Sequence, residues 1–141
     1  MLIELNKIDG VYHFEAKNET GNKVQIDASP AIGGTGKGAR PMELLIMGLG
    51  GCSGIDIISI LQKQKIEVKD FKIEIKAERE HDAIPSLFEK IHVHFILKGD
   101  IDEEKAQRAV SLSMDKYCSV AKTLEKTATI THSLTIEKVY K

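Results

Sequence analysis

Arg40-Pro41-Met42-Glu43-Leu44-Leu45-Ile46-Met47-Gly48-Leu49-Gly50-Gly51-Cys52-Ser53-Gly54-Ile55-Asp56-Ile57-Ile58-Ser59-Ile60-Leu61 is the most apolar stretch of this chain, and it sets a cysteine among glycines. Pro41 suits a first helical position, where its missing N–H costs nothing and its fixed φ is already helical. Glu43 falls in the first turn, where a negative charge suits the helix dipole. From Leu44 to Leu61 apolar residues fall on every face, which predicts a helix buried all round. The run is about the length of a membrane span, roughly 20 residues. It also holds Asp56, two serines and four glycines, and no aromatic or basic cluster anchors its ends. The reading is therefore the core helix of a soluble domain.

The glycines leave two readings open. Gly48, Gly51 and Gly54 recur at helical spacing and would let another backbone approach closely. Alternatively, Gly50-Gly51 breaks the helix just before Cys52, and a new helical N-terminus there would favour the thiolate.

Upstream, residues 2–8 and 11–16 flank Asp9-Gly10, a strong hairpin signal. A turn at residues 18–22 leads into a third strand, 24–27. The glycine-rich stretch 29–39 before the helix fails both nucleotide patterns. Gly36-Lys37 is followed by Gly38 rather than Ser or Thr, and the first P-loop glycine would fall on Ala31. A third dinucleotide-motif glycine would fall on Ala39. The expectation is a mobile loop beside a site.

Downstream, Phe71, Ile73, Ile75 and Ala77 alternate with charged residues, and Ile91, Val93, Phe95 and Leu97 repeat the pattern. His92 and His94 share the opposite face and read as solvated strand residues rather than metal ligands. Asp102 is a good N-cap for a helix running to about Met114. Residues 115–122 form a second short helix, and a final strand spans 129–139. The order βββ-α-ββ-α-β gives an α+β fold, with antiparallel sheet against the apolar helix.

At 141 residues the chain is one domain, 1–141, and its net charge of −1 with no basic block argues against nucleic acid or anionic membrane as partners. The opening residues show no basic n-region followed by an apolar run, so a cytoplasmic location is expected. Two cysteines there are expected to be reduced at rest. Cys52 lies among helical glycines, and Lys116 and Lys122 near Cys118 could favour its thiolate. A reduced cysteine is usually a small buried hydrophobe, so packing and redox roles both stand.

Pro41-x-Glu43-Leu44-Leu45 leading to Gly50-Gly51-Cys52, with Tyr117-Cys118-Ser119-Val120 downstream, resembles the OsmC/Ohr family of osmotically induced and organic hydroperoxide resistance proteins. The order of elements matches over essentially the whole chain. The resemblance implies the OsmC-like fold, antiparallel sheets packed around a central apolar helix, in an intertwined homodimer with sites at the subunit interface. It further implies a cysteine peroxidase acting on organic hydroperoxides, and less well on hydrogen peroxide. Cys52 would become a sulfenic acid. Cys118 would resolve it as a disulfide that a dithiol of lipoyl or thioredoxin type reopens. Such a pair needs Cα atoms within about 7 Å. No metal, flavin or haem cofactor is called for.

Two positions depart from the family pattern. The family's peroxidases place a catalytic Glu ten residues before the reactive Cys, which here is Met42, with Glu43 the nearest acid. Their catalytic Arg comes from the N-terminal strands, yet residues 1–39 contain no Arg, leaving Arg40 as candidate. The implied catalytic set is Cys52, Cys118, Arg40 and Glu43. Arg40 and Glu43, at i and i+3, are expected to pair with each other at the helix start. In a continuous helix Glu43 and Cys52 lie about 13–14 Å apart along the axis and on opposite sides. A partner chain would then supply Arg40 and Glu43. Asp56, one turn after Cys52, is expected to cap or to pair with a basic group. Met42 and the missing N-terminal Arg also fit a second function: a non-catalytic member binding an apolar small molecule or partner in the dimer cleft.

Overall fold

In the computed structural model, which describes residues 1–139, the strands and two long helices follow the predicted βββ-α-ββ-α-β order, with a short 3-10 helix at Pro30–Ile32 and a short helix before the last strand. The chain divides into two compact units, Met1–Leu45 and Ile46–Lys141.

The first unit is an antiparallel meander of β1 (Glu4–Asp9), β2 (His13–Lys17) and β3 (Lys23–Ile26). Gly10 takes φ +58 in the first turn, a conformation that glycine adopts without strain. The buried His13 ring bridges Asp9 Oδ1 at 2.8 Å and Gln25 Oε1 at 2.7 Å, tying the hairpin to the third strand.

The stretch 29–39, expected to be mobile, is instead gathered around Asp27. That side chain, 1% exposed, accepts the N–H of Ala28 at 2.7 Å, of Thr35 at 3.0 Å and of Lys37 at 3.4 Å. The Thr35 hydroxyl donates a fourth bond at 2.6 Å. Led by that hydroxyl, these donors hold the Asp27 carboxyl down to about 2. Glycine content alone suggested freedom, but a buried carboxylate needs donors, and glycines let backbone converge on it. At Gly34 a Cβ would collide with the Ala28 carbonyl.

Helix α1 (Pro41–Lys63) runs unbroken through Gly50-Gly51, so the break before Cys52 does not occur. The packing reading holds for one of the three glycines it invoked. A Cβ on Gly54 would lie 2.9 Å from Ile73 Cδ1, and one on Gly50 3.2 Å from Ile75 Cδ1. The helix buries Leu49, Ser53, Gly54, Ile57 and Leu61, a stripe rather than a full circumference. Its other side corrects the expectation of all-round burial: Met47 is 58% exposed and Ile55 71%, and Gly48 and Gly51 face open space. One sheet can cover only one side of a helix. By length and composition the helix could cross a membrane. Its close seat against Ile73 and Ile75 makes the helix from Ile46 onward the core helix of the second unit.

In the second unit β4 (Asp70–Arg79) and β5 (Phe88–Gly99) pair antiparallel, but β6 (Thr129–Lys138) pairs with β5 in parallel. This corrects the antiparallel expectation for the last strand. A helical crossover returns the chain to the same end of the sheet, and parallel pairing follows. The crossover holds α2 (Glu103–Leu112), capped by the Asp102 carboxylate on the Lys105 N–H at 3.0 Å, and α3 (Ser119–Leu124). Between them Ser113–Tyr117 winds as a π-helical turn, so the second short helix starts later than predicted. The core joins Ile91, Val93, Phe95 and Leu97 of β5 to Ala106, Ala109 and Val110 of α2. The parallel register also sets a hydroxyl row beside the histidines. His92 contacts Thr131 at 2.6 Å and Ser133 at 2.8 Å, and His94 contacts Ser133 at 2.6 Å and Thr135 at 3.0 Å. They are half-buried and partnered, not solvated.

Candidate redox site

Cys52 lies half-buried in the middle of α1, and Cys118 is fully buried where the π turn meets α3. The two segments are remote in sequence, yet both sulfurs and a carboxylate oxygen of Asp56 lie within 4.8 Å of one another. Both thiols are free.

The π turn makes this meeting possible. A single wide turn shifts the helical phase, and such turns recur at functional sites. Here it is closed by the Cys118 N–H donating to the Ser113 carbonyl at 2.7 Å. Cys118 then leaves the turn with extended backbone and caps α3, its sulfur accepting the Ala121 N–H at 3.4 Å. At the other end of the turn the buried Ser113 hydroxyl reaches Asp56 Oδ2 at 3.2 Å and the Ser53 carbonyl at 3.3 Å.

Burial pushes the Cys118 thiol up to about 11, with the Ala121 N–H opposing and the neighbouring Cys52 adding to the rise. The expectation that lysines favour its thiolate is corrected. Lys122 pairs with Glu125 at 3.3 Å, and Lys116 lies over the Tyr117 ring at 5.3 Å. Desolvation governs this thiol, which is neutral at neutral pH.

Asp56 also departs from expectation. Its hydrogen bond comes from the Ser113 hydroxyl, and among the described residues no basic side chain pairs with it. Ser113 carried no signal in the sequence, because a π turn has no composition of its own.

Arg40 and Glu43 lie in the first unit. They pair, but not through the guanidinium: the Arg40 backbone N–H donates to Glu43 Oε1 at 2.9 Å, half of a capping box. A helix's first N–H groups lack partners, so the carboxylate folds back to them.

Two sulfurs and one carboxylate fall one donor short of a closed four-ligand zinc site, and no ion is assigned to them. A hollow of about 520 Å³ in the second unit, lined in part by Ile58, Gln62, Ile66 and Phe71, includes neither cysteine.

Residues 34–133 match the family model described as OsmC-like protein. Protein YhfA of Escherichia coli (strain K12) is 42% identical over 121 residues, covering 85% of this chain and 87% of its own. A hypothetical protein from Aquifex aeolicus VF5 superposes with a TM-score of 0.85 at 32% identity, over 99% of this chain and 97% of its own. An organic hydroperoxide resistance protein from Legionella pneumophila shares the fold, with a TM-score of 0.72 at 15% identity over 95% of each chain.

Proposed function

Because this chain belongs to the OsmC-like family, we propose that it is a thiol peroxidase reducing organic hydroperoxides, and hydrogen peroxide less well. The observation that carries this reading is the pair of free thiols within 4.8 Å, the more accessible one on the core helix. The Cys52 thiolate attacks the peroxide, the O–O bond breaks, an alcohol leaves and Cys52 becomes a sulfenic acid. Cys118 displaces water from it, forming a disulfide that a dithiol of lipoyl or thioredoxin type reduces. The reaction suits a reducing compartment such as the cytoplasm.

The active form is a homodimer. The uncovered side of α1, with Met47, Ile55, Gly48 and Gly51, offers an apolar face with room for a second backbone. Arg40 and Glu43 of the partner chain then serve Cys52, with Arg40 holding the thiolate and polarising the peroxide through charge-assisted hydrogen bonds. Met42 at the position of the family's acid favours a second reading, a non-catalytic protein binding an apolar ligand in the dimer cleft.

A thiol titration before and after one equivalent of organic hydroperoxide separates the two. Loss of two thiols per chain, recovered with a dithiol, is expected. Unchanged thiols would leave only the binding reading.

A further inference from the structure

Asp56 sits half-buried on the core helix with one side-chain hydrogen bond, and no cation among the described residues balances it. Its oxygen lies within 4.8 Å of both sulfurs.

The one group that holds it can serve two protonation states. The Ser113 hydroxyl has a single hydrogen and two acceptors within reach, Asp56 Oδ2 at 3.2 Å and the Ser53 carbonyl at 3.3 Å. When Asp56 is ionised, the hydroxyl donates to it. When Asp56 is protonated, the hydroxyl turns to Ser53 and accepts from the acid. Each state is satisfied with the heavy atoms where they are.

Disulfide closure needs a group of this kind. Burial keeps Cys118 a neutral thiol, which is a poor nucleophile, and the group leaving Cys52 is hydroxide. We propose, resting on the peroxidase reading above, that Asp56 carries the proton of disulfide closure. The Cys118 S–H proton passes to the Asp56 carboxylate as the Cys118 sulfur attacks the Cys52 sulfur. The S–O bond breaks with its electron pair, and the departing hydroxide takes the proton from Asp56 and leaves as water. The Cys118 sulfur is oxidised, the sulfenic sulfur is reduced, and Asp56 ends ionised as it began. Side-chain rotation or one bridging water closes the remaining separation.

The test follows closure in the purified chain after one equivalent of cumene hydroperoxide, with dimedone trapping sulfenic acid and mass spectrometry reading each species. Asp56→Asn keeps the shape and an acceptor for Ser113 but cannot carry the proton. Closure is expected to slow by about tenfold or more, within the span of general acid–base catalysis. Trapped Cys52 sulfenic acid then replaces disulfide as the main product. Closure within twofold of the parent rate would overturn the assignment.

A second arm uses diamide, which turns one thiol into a displaceable adduct without any peroxide. Slow closure of Asp56→Asn with diamide, where hydroperoxide oxidises neither protein, removes the peroxidase reading and keeps the proton carrier. Equal closure in both arms removes the carrier and keeps the peroxidase. Should Asp56→Asn fail to fold, Ser113→Ala is read by the same criteria and is expected to slow closure less, in the same direction.

Discussion

Asp27 is buried and Asp56 half-buried, and the chain treats them in opposite ways. Asp27 accepts four hydrogen bonds, three from backbone N–H groups and one from Thr35. Asp56 accepts one, from Ser113, and faces two thiols. A carboxylate with its lone pairs engaged fixes the backbone around it and resists protonation. One with a single hydroxyl partner leaves its other lone pairs open to further partners. Donor count and depth of burial both set the two acids apart.

The contrast breaks most plainly if the Asp27 carboxylate is dispensable. Asp27→Ala leaves four donors without their acceptor, and orphaned buried donors are expensive. Of the changes considered, it is expected to lower the melting temperature most, by many degrees in a thermal scan. A scan matching the parent protein would remove Asp27 as the organiser of residues 29–39.

Stability against pH sharpens the same contrast. The folded Asp27 carboxyl lies at about 2, below its ordinary 3.8, so the ionised form stabilises the fold. That stabilisation is complete above about pH 4 and is lost as pH falls through about 2. The Cys118 thiol is raised from 9.0 to about 11, so the unfolded chain releases its proton first. Stability is therefore expected to decline as pH rises from about 9 to 11. Denaturant titrations should lose the acid slope in Asp27→Asn and the alkaline slope in Cys118→Ala. An unchanged slope in either variant would show that its group is not the source.

The smallest effects come from removing one hydroxyl on each side. Thr35→Val is expected to lower the melting temperature by roughly 2–4 °C, a common single-site shift at this size. Ser113→Ala is expected to change melting less than it changes disulfide closure. The reverse ordering would erase the distinction between the two acids.

Much of the fold was legible because its signals are local. Period-two alternation marked β4 and β5, Asp102 marked the start of α2, and the apolar run from Pro41 marked α1. What stayed hidden depends on elements remote in sequence. Alternation reads the same for a parallel or an antiparallel neighbour, so the direction of β6 was invisible. Which glycine meets Ile73 depends on how α1 is rotated against the sheet. Asp27 before a glycine loop looks like any turn residue until donors converge on it. The cysteines could be paired only through the family resemblance, and Ser113 became visible only with the π turn.

The parallel pairing of β5 with β6 also governs when the thiols can meet. Cys118 lies inside the crossover between those strands, and the last strand, β6, secures its far end. Pairings this distant along the chain close late, because the loop entropy must be met first. A nascent chain is therefore expected to carry two separate thiols until β6 has been made and has paired with β5. Pulsed alkylation during refolding should find Cys118 protected only in the phase that forms the β5–β6 ladder. Oxidative chemistry would thus be reserved for molecules in which β6 has docked, while the others stay open to thiol capture.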